Sequence, residues 1–348
     1  MIAPTLHTGR LTLRMPRLED FQHRAAFYAS ERSVWEGGPL SRNQAWRLWA
    51  SEVGQWSLMG YGPFSVEENG DYVGEVGIYH PAEYPEPELG WFVMPEAEGR
   101  GIAAEAARAV MAWVRKTFGW DEITNIIAPG NARSIALGLR LGGKIDATRP
   151  GIDPGDVVIV HDLTAQGVSP EHRGGMGLTG IPRIETERLI LRAPALADWP
   201  AYQAVFTSDR AVHIDGPYDE AGAWSDFCEG VAGWVLRGAG MWTITAKGDE
   251  AALGWLYLWQ QKGDPEPEIG WVLTEAAEGK GFAKEAALAV LSLAVARFGK
   301  GGFVSYIAAA NTPSARLATR LGAARDAAAE AAYGAPDLHI YRHTGVPQ

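Results

Sequence analysis

The sequence predicts two tandem copies of one α/β (α+β) domain, each built around a mixed sheet. Three pairs of similar segments indicate the duplication, with an offset of 178 residues in the first pair and 180 in the other two. The pairs are Thr8–Phe21 with Thr186–Trp199, Glu88–Ala107 with Glu268–Ala287, and Asn131–Gly143 with Asn311–Ala323. Repeats of this length are whole domains, because solenoid units run to about 20–50 residues.

The length of the chain also favours two domains. Its 348 residues exceed the roughly 100–200 residues of an average domain. The segment 164–182 is rich in Gly, Ser and Pro, as a flexible linker is. We therefore expect an N-terminal domain over 1–163 and a C-terminal domain over 183–348.

Each copy shows the same order of predicted elements. A short first strand, LTLR at 11–14 or LILR at 189–192, precedes an amphipathic helix. Asn69-Gly70 lies between two strand-like runs and predicts a hairpin, so the middle of the first copy is antiparallel sheet. A further strand then enters a glycine-containing loop. The helix after that loop has apolar residues at three- and four-residue steps, which give it one buried face.

Composition places the chain among ordinary globular proteins, with 47% hydrophobic and 21% charged residues. No run approaches the roughly 20 apolar residues of a membrane helix, and the N-terminus lacks the apolar core of a signal peptide. The expected location is cytoplasmic, without a membrane partner. The net charge of −11 disfavours nucleic acid and favours encounter with cationic molecules such as amines.

Cysteine and histidine usage predicts neither a disulfide nor a metal site. The single cysteine, Cys228, cannot form an intramolecular disulfide, and we expect it to be a small buried residue. The eight histidines show no ligand spacing such as HExxH. Metal-dependent hydrolysis therefore has no support in the sequence.

The glycine loop is the first candidate binding site, and it occurs once in each copy. Its residues are Glu98, Gly99, Arg100, Gly101, Ile102 and Ala103 in the first copy, and Glu278, Gly279, Lys280, Gly281, Phe282 and Ala283 in the second. Backbone N–H groups at a helix N-terminus attract an anion, and glycine lets the anion approach the backbone closely. A pyrophosphate is the natural ligand, while the structural alternative is a simple tight turn. The loop completes neither a GxGxxG fingerprint nor a Gly-Lys-[Ser/Thr] P-loop.

The order of strand, [QR]xxGx[GA]-like loop, helix, strand and NxxS helix resembles the GNAT superfamily. The patterns EAxGxGxAxEA and NxxSxxLxxxLG resemble its Rim-type branch, which acetylates ribosomal-protein N-termini and some aminoglycosides. The resemblance covers nearly all of both copies and implies the acyl-CoA N-acyltransferase fold with acetyl-CoA as cofactor. It also implies that the loop amides bind pyrophosphate and that Val93 and Leu273 lie near the thioester, with their N–H groups facing the oxyanion.

Two positions depart from the family pattern. Glu98 and Glu278 stand where Gln or Arg is usual, which puts a negative charge beside the expected anion site. Gly143 and Ala323 replace the aromatic residue that commonly follows Leu-Gly, so the local packing is expected to differ.

The NxxS segments carry the next candidates. By resemblance, the amides of Asn131 and Asn311 contact pantetheine, and the hydroxyls of Ser134 and Ser314 hydrogen-bond the departing thiolate as acid or stabiliser. The structural alternative is an Asn N-cap with Ser in the first turn, an arrangement that needs no ligand. The two roles are compatible.

The acceptor amine arrives mostly as ammonium and must lose a proton. Glu88 and Glu268 begin the strand before the loop and are the candidate bases, while the alternative is an exposed strand-end charge. Glu105 and Glu285 also repeat, but carboxylates in the first turns of a helix are explained by the helix dipole.

These residues lead to the hypothesis of an N-acetyltransferase acting on a primary amine of a small molecule or a protein N-terminus. The alternatives are an acyl-CoA-binding regulatory protein and a chain with one catalytic and one degenerate copy. By resemblance, the tryptophan-rich segment containing Trp35, Trp46, Trp49 and Trp56 forms the acceptor wall. An intramolecular pseudo-dimer of the two copies is also expected.

Overall fold

Within the described residues, each half of the chain forms one eight-stranded sheet with helices packed against it. The computed structural model describes residues 4–164, 180–261 and 263–344. The chain divides into two units, 1–179 and 180–348, and each contains its own hydrophobic core. Almost all of the predicted linker lies outside the described residues.

The elements of the first unit follow the predicted order. They are β1 (Leu6–His7), β2 (Leu11–Arg14), α1 (Phe21–Tyr28), α2 (Arg42–Met59), β3 (Pro63–Glu68), β4 (Asp71–Tyr79), β5 (Glu88–Val93), α3 (Ile102–Phe118), β6 (Glu122–Ile127), α4 (Ala132–Arg140), β7 (Lys144–Ile145) and β8 (Val157–Asp162). A 3-10 helix, Glu31–Glu36, lies between α1 and α2.

The second unit repeats this order and adds one short helix near its end. Its elements are β9 (Ile184–Glu185), β10 (Leu189–Arg192), α5 (Trp199–Phe206), α6 (Glu220–Arg237), β11 (Met241–Ala246), β12 (Ala252–Trp259), β13 (Glu268–Leu273), α7 (Phe282–Phe298), β14 (Val304–Ala308), α8 (Thr312–Arg320), β15 (Ala323–Arg325), α9 (Ala327–Tyr333) and β16 (Leu338–His343). No helix in the described ranges combines the length and apolar character that crossing a membrane requires.

The two sheets share one topology. The strand order is β1-β2-β3-β4-β5-β6-β8-β7 in the first and β9-β10-β11-β12-β13-β14-β16-β15 in the second. Neighbouring strands run antiparallel, except that β5 and β6, and likewise β13 and β14, run parallel. Each parallel ladder has a single pair, Glu88 with Thr124 or Glu268 with Val304. Beyond that pair the two strands diverge, and the sheet opens.

Several local features of the sequence have the structure that was predicted for them. Asn69 and Gly70 both have positive φ, 54° and 89°, and join β3 to β4 as the hairpin that their sequence predicts. Most of the predicted apolar face of α3 is buried against the sheet, namely Ala106, Ala107, Val110 and Val114, while Ala103 is half-buried. Cys228 is fully buried, as expected.

Three of the four tryptophans in the segment expected to form the acceptor wall are buried. Trp46, Trp49 and Trp56 are packed in the core, each at most 4% exposed. The indole N–H of Trp49 donates to Glu75, and that of Trp56 donates to the carbonyl of Pro63. Trp46 and Trp49 contact Phe21 of α1, and Trp56 contacts Phe64 of β3, so these three side chains belong to the core.

Side chains satisfy the backbone groups at the opening of the first sheet. The amide of Asn125 donates to the carbonyl of Leu89 on β5. The Nε2 of buried His161 lies 2.6 Å from the side-chain oxygen of Asn125, and burial lowers the pKa of His161 to about 4. In the second unit, the hydroxyl of Ser305 donates to the carbonyl of Ile269 over 2.6 Å. Side-chain bonds therefore replace the missing ladder at this point.

Replacing Asn125 by Ala should destabilise the first unit by about 1–3 kcal/mol, because it leaves the buried Leu89 carbonyl without its donor. Urea unfolding of the full chain measures this loss. Asn43→Ala, an exposed change of the same kind on α2, is the control and should leave the unfolding free energy nearly unchanged. Equal stability of the two variants would contradict this account of the opening.

Candidate active site

The glycine loop of the first unit is a turn with two left-handed glycines at the amino end of α3. Gly99 and Gly101 have φ of 71° and 77°, a conformation that glycine adopts without steric cost. Gly101 occupies the N-cap position and has no side chain to cap the first N–H groups. These groups and the helix dipole therefore offer a site for an anion.

The second unit repeats this geometry closely. Gly279 and Gly281 have φ of 71° and 80°, and Gly281 is the N-cap of α7. Both loops thus have the backbone that the sequence predicts.

An arginine that occurs at the same position in both repeats holds each loop through a backbone carbonyl. Arg10 donates from Nη2 to the carbonyl of Arg100 over 2.6 Å and from Nε to Glu105 over 2.8 Å. Thr8 also donates to Glu105. Glu105 therefore ties the start of β2 to the first turn of α3, in agreement with a structural role for this carboxylate.

The same anchor recurs in the second unit, where Arg188 donates to the carbonyl of Lys280 over 3.1 Å and pairs with Glu285. Sequence reasoning missed both anchoring arginines. The available signal was the shared Thr-x-Arg-Leu at the start of each copy, with Arg10 and Arg188 at its third position.

The side chain of Arg100 does not face the glycine loop's cleft. Its guanidinium pairs with Glu68 on β3, and Arg100 does not line the cleft described below. Ala246 pairs with the second unit's β10 at the position that Glu68 holds in the first, so Lys280 lacks that partner. Only the backbone of Arg100 remains available to the predicted anion.

The negative charge expected beside the loop is compensated by arginines. In the first unit, Arg32 and Arg133 both donate to the same oxygen, Oε1, of Glu98. These contacts, first that of Arg32, hold the pKa of Glu98 below its ordinary value. In the second unit, Arg210 pairs with Glu278. The departure from the family pattern is therefore accompanied by an ion pair in both copies.

A cleft of about 920 Å³ runs along the loop of the first unit. The predicted cofactor-binding residues that line it are Val93, Glu98, Gly99, Gly101, Ile102, Ala103 and Asn131, and the predicted catalytic residue Ser134 lines it as well. Three arginines, Arg32, Arg133 and Arg140, also line it, together with Glu31 and Glu36.

A second pocket of about 350 Å³ is lined by residues of both β5 and β6. It is rich in carboxylates: Glu36, Glu52, Glu83, Glu88, Asp153 and Asp156 all line it. Six residues line both this pocket and the cleft, namely Trp35, Glu36, Trp91, Phe92, Asn131 and Ser134. The two spaces therefore meet at the opening between β5 and α4. Of the four tryptophans in the segment expected to form the acceptor wall, Trp35 lies at this meeting point.

Glu88 stands at the start of the opening and within the second pocket. Its Oε2 accepts the backbone N–H of Ile126 over 2.9 Å, a group that the parallel ladder leaves without a partner. Burial raises the pKa of Glu88 to about 8, although the hydrogen bond from Ile126 opposes the shift. A carboxyl with this pKa exchanges protons near neutral pH.

Glu268 has the same environment in the second unit. Burial, and next the charge of Asp264, raises the pKa of Glu268 to about 8, while hydrogen bonds from Trp259 and from the backbone of Tyr306 oppose it. Glu268 lines a pocket of about 600 Å³ together with Asn311, Ser314 and Trp271.

The NxxS segments have the geometry of helix caps. The side-chain oxygens of Asn131 and Asn311 accept the N–H of Ser134 and Ser314, each over 3.2 Å. Asn131 and Asn311 are therefore helix N-caps, which is the structural alternative to a contact with pantetheine. Each serine lies at the same time on a pocket wall, so the cap fixes its position there.

Val93 and Leu273 end β5 and β13 and pair with Gly74 and Gly254, whose φ values are 152° and 157°. A side chain on either glycine would meet the neighbouring backbone at less than 2.5 Å. Glycine at these positions therefore allows the strand to lie close to its neighbour.

The 350 Å³ pocket of the first unit and the 600 Å³ pocket of the second differ in the polar groups near them. In the first unit, buried Arg24 pairs with Glu52 over 2.6 Å and with Glu75 over 3.1 Å. Tyr202, Gly230 and Trp255 occupy the equivalent positions of the second unit. There the hydroxyl of Tyr202 contacts Asp226 and, over 2.9 Å, the hydroxyl of Tyr257. The two units therefore share the loop and the opening but not the base of the pocket.

Comparison with known proteins gives matches to each half of the chain. The "uncharacterized N-acetyltransferase YnaD" of Bacillus subtilis strain 168 is 26% identical over 147 residues, which are 41% of this chain and 83% of that protein. An acetyltransferase structure from Agrobacterium tumefaciens strain C58 is 36% identical, covering 46% of this chain and 95% of its own, with a TM-score of 0.45. Aminoglycoside acetyltransferase AAC(6')-Ib, solved in complex with coenzyme A, is 17% identical and covers 45% of this chain and 97% of its own, with a TM-score of 0.39.

The sequence profile of the family described as "Acetyltransferase (GNAT) domain" matches residues 10–144 and again residues 188–324. The two matches fall one in each unit, and each spans the first strand, the glycine loop and the NxxS helix. Because they cover more than half of the chain, this protein belongs to the GNAT acetyltransferase family as a tandem pair of GNAT domains.

Proposed function

We propose that the chain is an acetyl-CoA-dependent N-acetyltransferase that acetylates a primary amine of a small molecule or a protein N-terminus. The observation that carries this proposal is the set of six residues shared by the cleft and the carboxylate-lined pocket. A group held in the cleft and a group held in the pocket can meet beside Ser134 and Trp91. Family membership makes acyl transfer the chemistry to be expected there.

The residues of the cleft fit an acyl-CoA cofactor. The left-handed turn at Gly99 and Gly101 leaves the first N–H groups of α3 without a capping side chain, which suits a pyrophosphate. Val93 and Asn131 line the continuation of the cleft towards the pocket. Acetyl-CoA supplies an activated acetyl thioester when it is bound.

Glu88 and Glu268 are the proposed bases of the two sites. Each carboxylate lines the acceptor pocket of its unit and has a pKa of about 8. A base in this range accepts a proton from an ammonium group directly or through one water molecule. The hydrogen bond from Ile126 keeps the Glu88 carboxylate at the opening.

Ser134 and Ser314 are the proposed donors for the departing thiolate, and the backbone N–H groups of Val93 and Leu273 are the proposed oxyanion donors. The cap hydrogen bond to Asn131 or Asn311 holds the serine in place without occupying its hydroxyl hydrogen. A preorganised donor of this kind stabilises developing negative charge at little cost in reorganisation.

The charge of the pockets supports an amine acceptor. The described lining of the second unit's pocket contains Asp215, Asp226, Asp264, Glu268 and Asp337, and neither lysine nor arginine. Aromatic side chains including Tyr218, Tyr257, Trp259 and Tyr306 complete its walls. Carboxylates and aromatic rings together attract ammonium groups.

The alternative of a non-catalytic acyl-CoA-binding protein was motivated by the negative charge at Glu98 and Glu278. Arg32, Arg133 and Arg210 neutralise these carboxylates. The charge of Glu98 and Glu278 therefore does not favour a non-catalytic protein over an enzyme. Both units also retain the loop, the capped serine and the perturbed glutamate. We therefore assign a catalytic site to each unit.

The activity of the first site should depend on the ionisation of Glu88. Only the ionised carboxylate accepts a proton, so kcat/KM is expected to rise about tenfold per pH unit below the pKa of Glu88 and to level off above it. The measurement uses a Gly281→Glu background, which blocks the second loop, and an acceptor amine that stays protonated across the range, so that the concentration of the ammonium form is constant. Glu88→Gln should lower the rate and remove this dependence; an unchanged pH profile in that variant would show that another group is the base.

Calorimetric titration with acetyl-CoA should give two sites per chain. Gly101→Glu and Gly281→Glu should each reduce this to one, because each places a negative charge in one anion site and a side chain on a left-handed residue. Such a side chain alone costs about 1–2 kcal/mol.

Gly101→Ala and Gly281→Ala separate these two effects. Each introduces the backbone strain without the charge, and both should keep two sites with weaker binding at one of them. Saturation of the wild-type chain at one equivalent, with only one glutamate variant losing binding, would show that one unit is degenerate.

A further inference from the structure

Glu98 and Glu278 occupy a position where the family has Gln or Arg, and each is paired with an arginine from an equivalent place in its own unit. Arg32 lies in the 3-10 helix after α1, and Arg210 lies in the corresponding 3-10 helix, Asp209–Ala211, after α5. The same ion pair therefore occurs at the same loop in both units. Surface ion pairs contribute little to stability, so its recurrence is not explained by stability alone.

Glu98 brings together two arginines from separate elements. Arg32 reaches it from the 3-10 helix, and Arg133 reaches it from the first turn of α4. Their side chains are 33% and 74% exposed, while that of Glu98 is 26% exposed. The three charges sum to one positive charge, placed directly before the anion loop.

Both guanidinium groups keep donors for a further ligand. A guanidinium has five N–H donors, and each arginine contacts Glu98 through one nitrogen, Nη2. The same two side chains line the 920 Å³ cleft beside Gly99 and Gly101. Holding long side chains in place before a ligand arrives lowers the entropy cost of binding it.

The other charged residues of the cleft do not cancel the net positive charge of Arg32, Arg133 and Glu98 beside the loop. Glu36 lies where the cleft meets the acceptor pocket. The positive charge of Arg140 and the negative charge of Glu31, which both line the cleft, cancel in its total charge. Arg100, the cation that the loop sequence offers, is paired with Glu68.

We propose that Arg32 and Arg133, held by Glu98, bind the phosphate groups of the acyl-CoA in the first site, and that Arg210, held by Glu278, does so in the second. Glu98 and Glu278 are positioning residues in this arrangement. The inference rests on the proposed function and names phosphate ligands that the glycine-loop motif does not contain.

The second site has one arginine fewer. Pro313, at the start of α8, occupies the position of Arg133, and the Arg210–Glu278 pair by itself carries no net charge. The remaining cation of this loop is Lys280, which lacks the partner that Glu68 gives to Arg100. Because arginine binds phosphate by charge-assisted and often bidentate hydrogen bonds, the first site should bind coenzyme A more tightly than the second.

The test is calorimetric binding of coenzyme A to full-length chains in which the other loop carries the blocking glutamate. In the Gly281→Glu background, Arg133→Ala should weaken binding to the first site by about three- to tenfold, with the difference shrinking as salt increases. Arg32→Gln should weaken it by at least as much, with circular dichroism confirming the fold. Arg108→Ala is the matched control, because Arg108 is an exposed arginine of α3 that does not line the cleft.

A gain of binding excludes structural damage as the cause. In the Gly101→Glu background, Pro313→Arg should tighten binding to the second site by about three- to tenfold, because it restores the missing cation. Arg133→Ala binding like Arg108→Ala, or Pro313→Arg binding like its parent, would overturn the inference. Failure of the unmodified chain to bind coenzyme A would instead refute the proposed function.

Discussion

The structure depends on a break in the parallel pairing of β5 with β6 and of β13 with β14. Each ladder stops after one pair, and buried backbone groups beyond it need other partners. Asn125 supplies a donor to Leu89, and Glu88 supplies an acceptor to Ile126. The opening is therefore a stable feature of the sheet, and it creates the space in which the cleft and the acceptor pocket meet.

The same constraint explains the chemistry available to Glu88. A carboxylate that pairs with a backbone N–H inside the opening is withdrawn from bulk water, and burial raises its pKa to about 8. Glu268 meets the same conditions in the second unit. A structural requirement of the sheet thus produces a proton acceptor beside the proposed site of transfer.

Local patterns in the sequence were sufficient for the fold and for the backbone of the loops. Asn69-Gly70 and the glycines at 99 and 101 carry conformational information in the residues themselves, and the repeat supplied each element twice. Contacts between segments that are far apart in the sequence could not be predicted from these local patterns. Arg100, the cation within the loop, pairs with Glu68 on β3, and Arg10 reaches the loop from the residue before β2. Three of the four tryptophans in the segment expected to form the acceptor wall are buried, because an aromatic-rich helix does not by itself show which of its side chains pack in the core.

The central claim is that amine acetylation takes place where the cleft and the carboxylate-lined pocket meet. The most direct measurement is thiol release from acetyl-CoA by the full-length chain across a broad panel of primary amines and peptides, with coenzyme A binding measured on the same preparation. The account predicts thiol release that depends on the amine and is accompanied by the acetylated amine. Tight binding of coenzyme A without amine-dependent release from any member of the panel would contradict it.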